Sequence, residues 1–298
     1  MSFYNEIAAN QRMTLFLFAI FFALLFVLGY VVSFILSDFI FVPIFGIIAI
    51  VYILISYYNS DKIVTAISGA KPADEKKFEK LHNIVEEMSI ASGMPKPRVY
   101  VIDDTAINAF ATGRNPKHSV ICVTTGAVSR LSREQLTGVV AHEMSHIRNS
   151  DIKVMAMAAI LVGLAVLISD LLIRMFFFGG LRGNSNDSKG GIIIIIAIVV
   201  GIILAILTPI IAQLINFAIS RKREYLADAS GAQLTRYPEG LASALEAISK
   251  DKEILEAANK ATAHLYIANP LKGQKLWFIG LFDTHPDINS RINRLRAM

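Results

Sequence analysis

Four long apolar runs decide most of what this chain can become. They cover residues 13–36, 39–57, 154–178 and 192–219, and each is long enough to cross a hydrocarbon core of ~30 Å, which takes about 20 helical residues. They lift the hydrophobic fraction to 54% and the mean hydropathy to +0.52, above the usual range of a soluble globular chain. The first run is too long for the apolar part of a signal peptide and is not followed by a small-residue cleavage site. Ser37 and Asp38 alone separate it from the second run, so the two predict a tight helical hairpin whose ends return to one side. The third run carries Asp170 and Arg174, four residues apart, which read better as an interfacial or snorkelling pair than as an ion pair inside the bilayer.

Orientation follows from the cations. Arg12 precedes the first run, Lys62, Lys71, Lys76, Lys77 and Lys80 follow the second, Lys153 precedes the third, and Arg221, Lys222 and Arg223 follow the fourth, whereas the 179–191 loop has two cations and the 37–38 turn none. The positive-inside rule then places both termini and residues 58–153 in the cytosol. Cations spread in this way account for the net charge of +5 and the pI near 9.2 without a nucleic-acid partner. Cys122, the single cysteine, excludes an internal disulfide and a cysteine-based zinc site and reads as a small buried residue.

Between the second and third runs the chain reads as α+β. Phe78, Leu81, Val85 and Met88 recur at helical spacing and Gly93-Met94-Pro95 ends that helix, with His82 expected to face solvent. Residues 98–102 and 119–124 are β-like, with 107–113 extended between them, predicting a small sheet. An edge of that sheet could hold a peptide by adding it as a strand.

The next stretch contains H-E-x-x-H: His142, Glu143 and His146. Ser132 and Gln135 form a capping box ahead of it, so residues 132 to about 150 predict one helix. Histidines four apart on a helix are separated by ~40° and ~6 Å, so both imidazoles reach one ion. Glu143 projects beside the ion, where a carboxylate can deprotonate water. Coincidence on an amphipathic helix is the alternative. The helix is expected to run directly into the third apolar run, placing the ion close to the cytosolic face of the bilayer. An open catalytic site needs a third protein ligand. Glu224 and Asp228, four apart after the fourth run, are the candidates, although by themselves they read as a solvated pair balancing the arginines before them. Residues 238–261 read as helical, and the apolar stretch 276–282 reads as core, membrane contact or cleft lining.

The polar residues flanking H-E-x-x-H argue against an intramembrane site-2-type protease, four runs in under 300 residues argue against the larger chamber of a CAAX prenyl endopeptidase, and Glu143 beside an open position argues against a non-catalytic membrane metal-binding scaffold. The stretches 142–146, 223–228, 108–113 and Thr284-His285-Pro286, with the order of apolar runs, resemble the HtpX heat-shock membrane proteases, relatives of the CAAX prenyl endopeptidases, over essentially the whole chain. The resemblance implies one zinc ion per chain held by His142, His146 and Glu224, with Glu143 as general base and Asp228 supporting a zinc-bound histidine. It also implies Asn108 on a substrate-binding edge strand, and His285 and Arg291 near the scissile carbonyl; a helix cap and a surface arginine are the structural alternative for that last pair. The expected architecture is a mainly α polytopic membrane protein with four transmembrane helices and a cytosolic α+β gluzincin-like domain. Its layout is a lead and hairpin (1–58), a first protease segment (59–153), a second membrane pair (154–219) and a second protease segment (220–298). The expected setting is a bacterial plasma membrane under stress, where the enzyme cleaves damaged or misfolded membrane proteins on the cytosolic side.

Overall fold

The structure, a computed structural model, describes residues 38–161, 221–256, 262–268 and 286–298, together with 12, 14–20, 22, 23, 26, 30 and 33. Among these residues one helix, α1 (Phe41–Tyr58), is long and apolar enough to cross a membrane. It carries the expected second span and leaves Ile44, Ile47, Ile48, Ile50, Val51, Leu54 and Ile55 exposed, a surface that water would not favour. Four such helices are not seen among the described residues. Residues 162–220, which hold the 192–219 run, the 179–191 loop, Asp170 and Arg174, lie outside the described residues, as does most of the 13–36 run; 154–161 is helical and buried.

α1 ends at Asn59, and α2 (Ser60–Ile67) follows at once. Two cations mark that end. Arg114 donates to the Tyr58 carbonyl at 2.7 Å and lies 5.0 Å over its ring, while Lys153 lies 5.4 Å over the ring of Tyr57.

The sheet has four strands in the order β1-β2-β4-β3, where β1 is Lys71–Pro72, β2 Arg98–Ile102, β3 Ala109–Gly113 and β4 Ser119–Thr124. β2 and β4 are parallel, and the other pairings are antiparallel. β1 falls in a stretch expected only to lead into the first helix; Ala73 N–H bonding to the Val99 carbonyl ties that lead to the sheet. Both faces of the sheet are covered, which is why its strands read as nearly continuous apolar runs. Val99, Val101, Ala109, Ala111, Ile121 and Val123 pack with α3 (Glu79–Ser92) and α5 (Arg133–Arg148). Ile102, Phe110, Val120 and Cys122 pack on the other side with Val64 of α2 and with 155–159.

α3 stops where Gly93 takes φ +67°, the left-handed cap the sequence pattern implies. His82 is half-buried rather than solvent-facing, with Nε2 3.1 Å from the Ala73 carbonyl. A short helix, α4 (Thr125–Arg130), leads to α5, which opens on the expected capping box: Ser132 Oγ accepts from Gln135 N–H and Gln135 Oε1 from Ser132 N–H. Three further helices surround α5: α6 (Arg221–Thr235), α7 (Pro238–Lys250) and α8 (Ile288–Arg296). The helix expected over 238–261 ends at Lys250, because Asp251 turns away to accept from Ile107 N–H at 2.8 Å and from Arg130 at 2.9 Å.

The expected continuity of α5 into the third apolar run fails at one point. Asn149 caps α5, Ser150 takes φ +61°, and a new helical run begins at 151. A serine in the left-handed region is uncommon, and here it breaks the rod into two helices.

Candidate active site

α5 and α6 bring the three candidate ligands together. His142 and His146 stand one turn apart on α5 with their Nε2 atoms 3.1 Å from each other. α6 crosses this turn at Gly231, where a Cβ would sit 3.1 Å from the backbone nitrogen of His142, so a glycine permits the close crossing. Glu224, in the first turn of α6, places Oε1 3.4 Å from His146 Nε2 and Oε2 3.8 Å from His142 Nε2. Ligand atoms held tetrahedrally by one zinc at ~2.0–2.2 Å stand about 3.3–3.6 Å apart. The three side chains thus form a group able to hold a metal ion. Glu224 and Asp228 are 1% and 2% exposed, which rules out a solvated acidic pair.

Carboxylates stand behind both rings. Asp151 lies 2.9 Å from His146 Nδ1 and Asp228 lies 3.0 Å from His142 Nδ1. A proton on each Nδ1 leaves two Nε2 lone pairs and the Glu224 carboxylate converging on one point. Acceptors gathered in that way are reconciled by a cation, and two neutral nitrogens with one carboxylate oxygen suit zinc.

Arg291, expected near the scissile carbonyl, is 1% exposed and lies against the ligands, one terminal nitrogen 3.5 Å from His142 Nε2. Its Nε and one terminal nitrogen donate to Asp228 at 2.8 and 2.7 Å, and the other terminal nitrogen donates to the Ile267 carbonyl at 3.0 Å and lies 3.4 Å from Glu224. Burial opposes its charge, but Asp228 and Glu224 outweigh burial and raise its pKa. The surface-arginine alternative therefore fails. His285 lies outside the described residues. Asn108 immediately precedes the edge strand β3; its side chain is buried, donating to the Ala268 carbonyl at 3.1 Å and accepting from Ala109 N–H. The Ile267 N–H donates to the Ala109 carbonyl at 2.9 Å, so residues 267–268 already occupy that end of the edge.

Glu143 is 2% exposed, and the backbone N–H of Ala111 on β3 favours its charged form. Burial pushes its pKa up to about 7, against the opposing pull of His146 and with help from Glu224. The two histidines diverge. Burial lowers the pKa of both histidines, but at His146 the hydrogen bonds its ring donates to Asp151 and Glu224 outweigh burial and raise it.

Three contributors to the site were not singled out in the sequence: Asp151, the Ala111 N–H and the 267–268 segment. Asn149 and Ser150, two poor helix formers in succession that favour caps and turns, are the signal that could have flagged the break before Asp151. The backbone contacts have no such signal.

With this geometry in view, comparison with known proteins is informative. Residues 75–298 match the model of peptidase family M48. The chain is 48% identical over 266 residues to a Protease HtpX homolog of Caldanaerobacter subterraneus subsp. tengcongensis, covering 88% of this chain and 85% of that one. It is 45% identical over 299 residues to one of Dictyoglomus thermophilum (100% and 95%), and 42% identical over 306 residues to one of Listeria monocytogenes (99% of each). Its fold is similar to the crystal structure of S. mikatae Ste24p, with a TM-score of 0.51 and 21% identity, covering 98% of this chain and 67% of that one. Family match, full-length relatives and the His-His-Glu group agree: the chain belongs to peptidase family M48, among its HtpX members, and is a metalloprotease.

Proposed function

We propose that the protein is a zinc-dependent membrane endopeptidase that hydrolyses peptide bonds at the cytosolic face of a bacterial plasma membrane and removes damaged or misfolded membrane proteins. The observation that carries the chemistry is the buried convergence of His142 Nε2, His146 Nε2 and Glu224 beside a glutamate held near neutrality.

His142, His146 and Glu224 would hold the zinc, with Asp228 and Asp151 fixing the two rings. Bound there, zinc would acidify a water molecule and polarise a peptide carbonyl. Glu143 accepts the proton from the water and delivers it to the departing amine; burial, which raises its proton affinity, suits a group that must both take and give a proton. The Ala111 N–H favours the charged form of that carboxylate. Substrate would lie in extended form along the outward edge of β3, beyond the Ala109 end taken by residues 267–268.

The membrane setting is supported by α1 with its exposed apolar surface, and the cytosolic side by the cations flanking the apolar runs. The bilayer and unfolded or membrane polypeptides are the proposed partners, and nothing in the charge distribution calls for nucleic acid. The quality-control role rests on likeness to the HtpX proteases.

Metal content and cleavage of casein or a model membrane protein test this reading. Glu143→Gln is expected to retain zinc while losing ~10²–10⁴-fold in turnover, and Glu224→Ala to lose zinc as well. Zinc lost from Glu143→Gln would make that residue a ligand and overturn the assignment.

A further inference from the structure

The left-handed turn at Ser150 has a consequence for the metal centre. On an unbroken helix a residue five places beyond His146 would lie ~140° around the axis, on the far face from the imidazole. α5 instead closes with Asn149 N–H bonding to the Ser145 carbonyl and Ser150 N–H to the Ile147 carbonyl, and the chain turns. Asp151 then begins the next helical run with its carboxylate facing back, Oδ2 2.9 Å from His146 Nδ1. Its other oxygen lies 3.5 Å from Arg223, which directly precedes the candidate ligand Glu224. Asp151 is 2% exposed, so its carboxylate is shielded from water.

We propose that Asp151 is a positioning residue for the metal centre: it fixes the proton of His146 on Nδ1 and aims Nε2 at the metal, while Arg223 locks that carboxylate to the helix that supplies Glu224. The inference rests on the zinc reading above and adds a residue to it. Its physical basis is that an imidazole bound through Nε2 is oriented, and made a stronger donor, by an acceptor at Nδ1. Helices that approach the site from either side of residues 162–220 meet in this contact, so a shift between them would be felt at His146. A bend formed for packing alone would not need to bury a carboxylate against the ligand.

The test uses the full-length protein in detergent or nanodiscs, with zinc affinity measured by competition against a chromophoric chelator and the visible spectrum of the cobalt-substituted protein. Asp151→Ala is expected to weaken zinc binding about 10–100-fold and to alter the cobalt spectrum. Asp151→Asn, which keeps an oxygen acceptor, should recover most of that loss, and Arg223→Gln should weaken binding a few-fold. Asp251→Ala, removing a carboxylate remote from the site, should leave affinity unchanged. Melting of the metal-free variants identifies any that fail to fold; should Asp151→Ala be one, the Asn and Arg223 variants carry the comparison. Wild-type protein that takes up no zinc overturns the zinc reading and this proposal with it. Wild type that binds zinc, alongside an Asp151→Ala that binds as tightly or an Asp151→Asn no better than Asp151→Ala, overturns the proposal alone.

Discussion

His142 and His146 occupy adjacent turns of one helix, are equally buried and face the same carboxylate, yet they are supported by different parts of the chain. Behind His142 stand Asp228 and the fully buried Arg291, reached only by folding the C-terminal helix α8 over the site. Behind His146 stand Asp151, five residues along the chain, and Arg223, whose side chain is 11% exposed. The first support is assembled by tertiary structure and shared with Glu224 and the Ile267 carbonyl. The second is delivered by a local turn. Electrostatics separates them too, since burial dominates at His142 and two hydrogen-bonding carboxylates dominate at His146. Equivalent ligands in the sequence motif are therefore not equivalent in the molecule.

Substitutions can break that contrast. Arg291→Ala leaves Asp228 buried without its cation and should destabilise the fold by ~3–5 kcal/mol, measured by chemical denaturation of the metal-free protein; equal stability would mean that α8 does not close over the site. Gly231→Ala presses a methyl against the backbone at His142, within 3.1–3.3 Å of three backbone atoms, and leaves the Asp151 side untouched. A loss of about 1–3 kcal/mol, with lower zinc affinity, is expected in melting and chelator competition.

The opposite pKa shifts predict opposite pH dependences in the metal-free protein. His146 holds its proton more tightly when folded, so its contribution is complete below an unfolded pKa of ~6.5 and is lost as pH rises through the higher folded value. His142 is held neutral, so its contribution is present above ~6.5 and lost as pH falls below it. Each slope is at most about 1.4 kcal/mol per pH unit. Melting curves of His146→Gln should lack the decline above neutrality and those of His142→Gln the decline below it. The smallest effect is reserved for Arg223→Ala, about 1 kcal/mol or less, because water can replace part of a partly exposed guanidinium; a loss as large as that of Arg291→Ala would erase the difference between the two supports.

Much of this was readable before folding. The capping box at Ser132 and Gln135, the helix over Glu79–Ser92 with its glycine cap, and the strands Arg98–Ile102 and Ser119–Thr124 depend on neighbours a few residues away, and their signals lie within one window. The end of α7 at Lys250 was not readable, because Asp251 leaves the helix for partners at 107 and 130. Nor was the two-residue strand at Lys71, whose bonding comes from β2. Arg291 could be singled out by resemblance, but its place behind Asp228 could not.

By itself the sequence determined the pair of imidazoles with an adjacent glutamate, because helical geometry converts a spacing of four into a shared direction regardless of what surrounds the helix. The apolar length of α1 belongs to the same class, being a property of consecutive residues. Only the tertiary structure decided that Glu224 joins them, that Arg291 is buried against Asp228, and that Asp151 turns back on His146. Those outcomes depend on where separate helices cross and where one serine reverses the backbone, and such energies arise between residues that the order of the chain does not place together.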